Sequence, residues 1–273
     1  MMASPAATFR SGLTYSLLGL ASFLSVFPFL WMIIGTTNVS IDIMQGKASF
    51  GAALGRNIGV FFTQVNAPLV FWNSAKLATL TTVLTLAITS LAGYGFEIFR
   101  SPAREKVYNL LLLTLMIPFA ALMIPLFIMM AKAHIINTHL AVIVPFIASI
   151  FMIFYFRQCT KAFPMELRDA AKMDGLKEWQ IFVYIYLPVM RSTFAAATII
   201  VFLSSWNSYL WPLIVLQSNE TKTITLVVSS LASAYYPDYG VVMVGAVLAT
   251  LPTLIVFFAM QRQFVQGMLG SIK

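Results

Sequence analysis

The chain has 273 residues, of which 60% are hydrophobic and only 10% charged, and its net charge is +8 at pH 7. With a mean hydropathy of +0.87, this composition excludes a soluble globular protein. The basic excess does not indicate nucleic-acid binding, because no basic run with interleaved aromatics occurs on a soluble stretch.

Long apolar runs predict the fold class. A bilayer core about 30 Å thick requires about 20 apolar residues per helix, and the chain supplies several such runs. We therefore predict an all-α integral membrane protein with six transmembrane helices. As domains, we predict an N-terminal span with an external loop (1–72) and a helical core (73–273).

The first two spans are separated by a more polar stretch. A run at about Leu13–Gly35 is too long for the core of a signal peptide and predicts an uncleaved helix. Residues 36–72 contain glycines and charges, which favours an external loop with some interfacial helix. The second span is predicted at about 73–97, where Lys76 and Glu97 lie close enough to the ends to reach the headgroups.

Prolines mark the third predicted span, at about 107–131. Pro118 and Pro125 lie seven residues apart, so they should bend the helix and free two backbone carbonyls. Either a bent, gate-like helix or an ordinary membrane-helix kink fits this pattern. The fourth span is predicted at about 140–160.

The segment 163–188 is both charged and regularly patterned, between two apolar runs. Pro164 suits a helix entrance, the helix is predicted over Glu166–Asp174, and Gly175 occupies the position of a left-handed closing residue. A second helix should follow and lie along, or enter, the bilayer boundary. Its apolar stripe has helical spacing and comprises Trp179, Phe182, Val183, Tyr186 and Leu187.

The first of these two helices is predicted to carry a docking surface. Ala170 and Ala171 are small, so another protein could approach the backbone closely there. Charged residues surround them, namely Arg168, Asp169, Lys172 and Asp174. From the pattern alone, a solvated loop helix remains the alternative.

The fifth span is predicted at about 192–216 and contains a polar cluster. Polar side chains at membrane depth face either water or a neighbouring helix, so a cavity lining and a helix contact both remain open. The cluster comprises Ser204, Ser205, Trp206, Asn207 and Ser208. As a candidate substrate path we assign Trp206, Asn207, Ser208 and Tyr209.

Charge bias predicts the topology. A second external loop (217–239), a sixth span (240–260) and a tail (261–273) complete the chain. Twelve of the 17 Lys and Arg residues fall on the side that holds both termini and the docking segment. The positive-inside rule then places that side in the cytoplasm, in a multi-pass protein of the inner or plasma membrane.

The docking segment resembles the EAA loop of binding-protein-dependent ABC transporter permeases. The family pattern is EAA, three residues, G, nine residues, I-x-L-P. This chain matches it with Asp169, Ala170, Ala171, Gly175, Ile185, Leu187 and Pro188. The one departure is Asp169, which keeps the charge of the family's glutamate on a shorter side chain.

Three further stretches resemble the carbohydrate-importer branch of that family, near the smaller maltose-type subunit. They are INTHLAVIVP (136–145), SSWNSYLWPL (204–213) and QRQFVQG (261–267). The resemblance implies a type I importer permease that imports a sugar such as a di- or oligosaccharide. It implies as partners a second homologous permease, two ATPase subunits, an extracytoplasmic solute-binding protein and membrane lipid.

The resemblance also implies how the subunit couples to its ATPase. The cytoplasmic helix would sit in a cleft of the ATPase, and ATP and Mg²⁺ would bind there rather than on this chain. The residues assigned to this coupling are Glu166, Asp169, Ala170, Ala171, Gly175, Leu187 and Pro188.

Motifs of other function classes are missing from the sequence. No G-x-x-x-x-G-K-[ST] phosphate loop, H-E-x-x-H or G-x-S-x-G is present, so we expect neither an ATP site nor an enzyme. Cys159 is the only cysteine, and His134 and His139 lack a nearby carboxylate, so we expect no metal or cofactor. A self-contained secondary carrier or channel, or a permease for a non-sugar solute, remains the alternative.

Overall fold

The computed structural model describes the backbone of residues 5–269 and the side chains of residues 12 and 14–261. The side chain of Arg10, and those of the predicted tail beyond Gln261, lie outside this part. All regular structure in the described residues is helical, which confirms the predicted all-α class.

The helices are, in chain order, α1 (Pro5–Thr36), α2 (Ser40–Met44), α3 (Leu54–Gln64), α4 (Ala67–Ile98), α5 (Pro102–Thr114), α6 (Phe119–Lys132), α7 (His139–Ile143), α8 (Ile150–Thr160), α9 (Met165–Met173), α10 (Glu178–Ile181), α11 (Leu187–Val189), α12 (Arg191–Trp206), α13 (Leu210–Val215), α14 (Ile224–Ala232) and α15 (Tyr239–Leu269).

Three helical stretches of the described chain are long and apolar enough to cross a membrane: Thr14–Thr36, Ala67–Ile98 and Tyr239–Gln261. Three bent helix pairs pass the same test, with bends of 103°, 43° and 81°. If each bent pair forms one span, the total is the predicted six. The helix of the sixth predicted span continues to Leu269, and the apolar stretch within it, Tyr239–Gln261, coincides with the predicted span at about 240–260.

The third predicted span is broken rather than bent. Helix α5 ends at Thr114, α6 begins at Phe119, and their axes differ by 103°. Between them, Met116 and Ile117 donate backbone hydrogen bonds to carbonyls three residues earlier, at 3.2 and 3.1 Å. Pro118 has no N–H and disfavours helical backbone at the preceding residue, so the helix stops there.

The fourth and fifth predicted spans are also interrupted. A 3₁₀ turn at Val144–Phe146 follows α7, and α8 starts again at Ile150 after a 43° bend. Helix α12 ends at Trp206, ten residues before the predicted end. Asn207 ends it, since its backbone N and its Nδ2 both hydrogen-bond to the Leu203 carbonyl, at 3.1 and 2.9 Å.

The chain folds as two compact units. One comprises the residues up to Asn66 together with Val228–Leu251, and the other comprises Ala67–Val227 together with the chain from Pro252 onward. Residues 228–251, which the predicted division at residue 72 leaves in the core, thus pack with the N-terminal region. Hydropathy could not indicate this, because it carries no information about which distant segments meet.

In the larger unit, α4 packs against α8 and α12. Its buried surface carries many small and hydroxylated side chains besides larger ones such as Leu77 and Tyr94, as is usual where membrane helices approach closely. At Gly93 the approach is tightest: a Cβ there would lie 2.6 Å from the Phe156 Cβ. The buried small residues of this face are Ala78, Thr82, Thr85, Thr89, Ser90 and Gly93.

In the smaller unit, polar groups hold the helix ends together. Asn57 is fully buried, and its Nδ2 donates to the Thr36 and Asn38 carbonyls, each at 2.9 Å. Arg56 pairs with Asp238 at 2.7 Å. The predicted external loop thus contains the helices α2 and α3, and Asn57 of α3 bonds to the end of α1.

Candidate functional site

The predicted docking helix and its turn are present. Helix α9 spans Met165–Met173, directly after Pro164. Gly175 has φ +84°, and the N–H groups of Gly175 and Leu176 bond to the carbonyls of Lys172 and Ala171, each at 3.0 Å. These two bonds define a Schellman motif, in which glycine supplies the left-handed backbone that ends the helix.

Helix α9 is exposed at every position except Arg168 and Ala171. Four of its exposed residues follow i, i+3, i+4 and i+7 and form a single helical stripe: Glu166, Asp169, Ala170 and Met173. Ala171 lies on the other face and is 4% exposed. The expectation that both alanines belong to an exposed docking surface is therefore wrong for Ala171, which packs against its own chain.

Arg168 also faces inward, toward the helix that follows the turn. Its Nη2 donates to Oε1 of Glu178 at 2.5 Å, and its Nε lies 3.4 Å from Oε2. Lys172 pairs with the same carboxylate at 2.7 Å, and the Tyr94 hydroxyl donates to it at 3.2 Å. Glu178 thus joins α9 to α10 and to α4.

The residues after the turn rest on an aromatic cluster at the C-terminal end of α4. Tyr94 contacts Phe182 and Tyr186 with ring centroids 5.3 and 4.9 Å apart. Phe163 lies 5.4 Å from the Tyr186 ring, and the Tyr186 hydroxyl is 2.7 Å from Thr160 Oγ1. Both ends of the docking segment are consequently fixed to the same core.

A π-helical turn at Phe182–Tyr186 changes which residues of the second helix are buried. Two residues of the predicted apolar stripe, Trp179 and Val183, are 60% and 42% exposed, which fits the prediction that this helix lies along the bilayer boundary. A π turn takes one residue more than an α turn and so shifts the face that follows. Of the coupling candidates there, Leu187 is half-buried and Pro188 exposed; the residues actually buried are Ile181, Phe182, Tyr186 and Met190.

The larger unit contains a cavity of about 130 Å³. Six hydroxyl side chains line it, from α4, α12 and the segments next to them: Thr81, Thr85, Ser149, Ser204, Ser205 and Ser208. The apolar part of the wall comprises Val142, Phe146, Phe151, Met152, Ile200 and Val201. The three serines of the predicted polar cluster therefore line a cavity. Of the two predicted possibilities, a cavity lining and a helix contact, the first applies to them.

The four residues predicted as a substrate path do not lie together on this cavity. Ser208 lines it, whereas Trp206 is 4% exposed and stacks on Phe202 with ring centroids 5.9 Å apart. Asn207 is exposed and ends α12, and Tyr209 packs against an apolar cluster. Thr81 and Thr85 also line the cavity and were not predicted from the sequence. Their spacing of four residues places them on one face of α4 and could have indicated this polar wall.

A buried arginine was also missed. Arg157 in α8 is 6% exposed, lies over the Tyr108 ring at 3.9 Å, and bonds to Glu97 at 3.3 Å and to Glu105 at 2.5 Å. Glu97 also pairs with Arg100. The interpretation of Glu97 as a side chain that merely reaches the headgroups is wrong, since it helps to join α4 and α8.

Comparison with known proteins identifies the relatives of this chain. The family described as "Binding-protein-dependent transport system inner membrane component" matches residues 99–270. The lactose transport system permease protein LacG of Rhizobium radiobacter is 71% identical over 259 residues, covering 95% of each chain. The arabinooligosaccharides transport system permease protein AraQ of Bacillus subtilis (strain 168) is 41% identical over 204 residues, covering 74% of this chain and 73% of that protein.

A solved structure has the same fold. A chain of a bacterial ABC transporter involved in the import of the acidic polysaccharide alginate superposes with a TM-score of 0.80, over 97% of this chain and 99% of its own, at 20% sequence identity. This likeness shows a shared fold over nearly the whole of both chains.

Proposed function

Because this chain belongs to the family of binding-protein-dependent transport system inner membrane components, multi-pass membrane subunits that translocate solutes, we propose that it is a permease subunit of an ATP-driven sugar importer. The observation that carries this proposal is the exposed stripe of α9, a helix that Glu178 joins to α10 and to α4.

The proposed solute is a sugar of the di- or oligosaccharide class. Support comes from the 71% identity to a lactose permease and the 41% identity to an arabinooligosaccharide permease. Single-residue changes in a binding site can alter specificity among sugars, so the class is proposed and no individual sugar is.

The proposed partners follow from the family and from the missing phosphate loop. A second homologous permease would complete the translocation path, two ATPase subunits would bind ATP and Mg²⁺, and an extracytoplasmic binding protein would deliver the solute. This chain would bind no cofactor or metal. The charge bias of the loops supports an orientation with both termini and α9 in the cytoplasm.

We propose Asp169, Ala170 and Glu166 as contacts of the ATPase. Gly175 would end the helix that carries them. Ala171 would act through packing, and Leu187 and Pro188 through the helix that leads to α12. When the ATPase pair closes, α9 would shift as a rigid body and move the helices joined to it between inward-open and outward-open arrangements.

The test is reconstitution of the complex purified from its host, with lactose as the probe. We expect uptake of labelled lactose that requires ATP and the binding protein, and a crosslink from A170C to the ATPase. The control is M165C, which lies on the same helix outside the stripe formed by residues 166, 169, 170 and 173. Uptake by this chain alone along an ion gradient, with no A170C crosslink, would contradict the proposal and indicate a self-contained carrier.

A further inference from the structure

We propose that the cavity lined by Thr81, Thr85 and the serines of residues 204–208 is a binding subsite for the hydroxyl groups of a neutral sugar. This inference rests on the proposed function and deepens it. It places a direct solute contact on this subunit and makes Thr81 a specificity-determining residue.

The position of the cavity along α4 is the first argument. Thr81 and Thr85 lie near the middle of this 32-residue helix, and Ser204, Ser205 and Ser208 surround the C-terminal end of α12. The middle of a helix that long falls within the apolar core of a bilayer. A group of hydroxyls at that depth is costly unless it has hydrogen-bonding partners.

Thr81 lacks such a partner. It is 4% exposed, and its Oγ1 has no hydrogen-bond partner among the described residues. Other buried threonines of α4 are satisfied: Thr82 and Thr89 donate to carbonyls four residues earlier at 2.7 and 2.6 Å. Because a buried, unpaired hydroxyl is destabilising, a ligand hydroxyl that reaches this part of the cavity wall would supply the missing bond.

The chemistry of the wall defines the class of ligand. Hydroxyl groups donate and accept hydrogen bonds, and the rings of Phe146 and Phe151 offer apolar surface. A sugar presents this same combination of hydroxyls and C–H faces. The residues that line the cavity include no charged side chain, so a carboxylate entering it would lose its hydration without gaining a counter-charge.

The size of the cavity limits what it holds. Its volume of about 130 Å³ is below the roughly 300–1,000 Å³ of pockets that enclose a drug-sized ligand. It therefore fits one end of a sugar chain rather than a whole oligosaccharide.

Protection of an introduced cysteine measures occupancy directly. In the reconstituted complex, C159S removes the native thiol and S204C places a new one on the cavity wall at an exposed position. The rate of alkylation by a small maleimide is followed against lactose concentration. We expect lactose to slow the reaction, and an alginate disaccharide of two uronates, which is similar in size but anionic, to leave it unchanged.

The role of Thr81 is tested in the same background. T81V keeps the shape and removes the hydroxyl, so the lactose concentration for half-protection should rise about three- to tenfold. T81S should restore it. The matched control is T82V, which removes a buried hydroxyl from the adjacent residue, outside the cavity, and should leave the half-protection concentration unchanged.

Three results would overturn the inference. Lactose could leave the alkylation rate of S204C unchanged, or the uronate disaccharide could slow it as much as lactose does. The third result is that S204C is not alkylated even without sugar, as when the partner permease fills the cavity. Equal half-protection in T81V and T82V would also overturn it. Each of these leaves the proposed function standing as long as the complex takes up lactose. A complex that takes up no sugar would instead contradict the proposed function.

Discussion

Arg168 and Glu178 lie on opposite sides of the Gly175 turn and are joined by two hydrogen bonds, the shorter of 2.5 Å. Arg168 is only 11% exposed at its side chain and also lies over the Phe99 ring at 5.6 Å. A partly buried pair of this kind fixes the angle between two helices more firmly than exposed pairs do.

Replacing Glu178 by Gln should loosen α9 while leaving its exposed face intact. The variant keeps the side-chain shape but loses the negative charge that Arg168 and Lys172 contact, so the buried Arg168 keeps only the longer contact to Asp169, at 3.9 Å. We expect several-fold faster proteolysis within residues 163–177 and less lactose taken up per ATP hydrolysed.

The control for that variant is Glu220→Gln, which changes a carboxylate outside the docking segment. It should alter neither the proteolysis of residues 163–177 nor the coupling ratio. Equal effects of E178Q and E220Q would show that the Glu178 network does not position α9.

Replacing Gly175 by Val should uncouple ATP hydrolysis from uptake or prevent assembly with the ATPase. At φ +84° a β-branched residue costs about 1–2 kcal/mol, and the Schellman motif would rearrange. G175N should be tolerated, since Asn adopts the left-handed region. ATPase activity and lactose uptake of the reconstituted complex are the measurements.

Gly46 offers a matched control, since it also has a positive φ, +74°, and open space around its Cβ position. G46V should be destabilised by a similar backbone strain, while uptake of lactose should remain coupled to ATP hydrolysis. If G175V behaves like G46V, the turn has no special part in coupling.

Replacing Gly93 by Ala should destabilise the larger unit. Its Cβ would lie 2.6 Å from the Phe156 Cβ and 2.8 Å from the Arg157 backbone N, so α4 and α8 must separate, at a cost of about 1–3 kcal/mol. A Cβ added at Gly95, on the same helix, would have no neighbouring atom within 4 Å. G95A should be neutral or slightly stabilising, and thermal unfolding of the purified protein compares the two.

The ion pair of Asp238 predicts a pH dependence for the smaller unit. Burial alone would raise the pKa of Asp238, but the hydrogen bonds from Arg56 and Ser40 outweigh it and lower the pKa. Because the folded pKa lies below the unfolded value of about 3.9, the stabilisation is complete above that value and is lost as the pH falls through the folded pKa.

Thermal unfolding of wild type and D238N, followed from pH 7 to pH 3, checks this. The difference in melting temperature between wild type and D238N should be largest near neutral pH and should shrink below about pH 4. A difference that stays constant over this range would contradict the assignment.

Sequence patterns predicted the apolar runs and the docking turn well, because both depend on local residue types. Pro118 could be recognised as a disturbance, but the 103° angle depends on what α6 packs against. Arg157 and Thr81 were missed for a related reason: hydropathy averages a helix around its axis and hides one polar face. The burial of Ala171 depends on how α9 packs against its own chain, and no spacing rule indicated the π turn at Phe182–Tyr186.

That π turn at Phe182–Tyr186 lies on the covalent path from α9 to α12. A π turn contains one residue more than an α-helical turn, so the connection from α9 to α12 contains one residue more than a continuous α-helix of the same length would. Rewinding it to α geometry would rotate one side against the other by about 100° and change the length by about 1.5 Å. The segment that we propose to couple to the ATPase thus contains an extra residue that would allow a screw-like movement without breaking a helix.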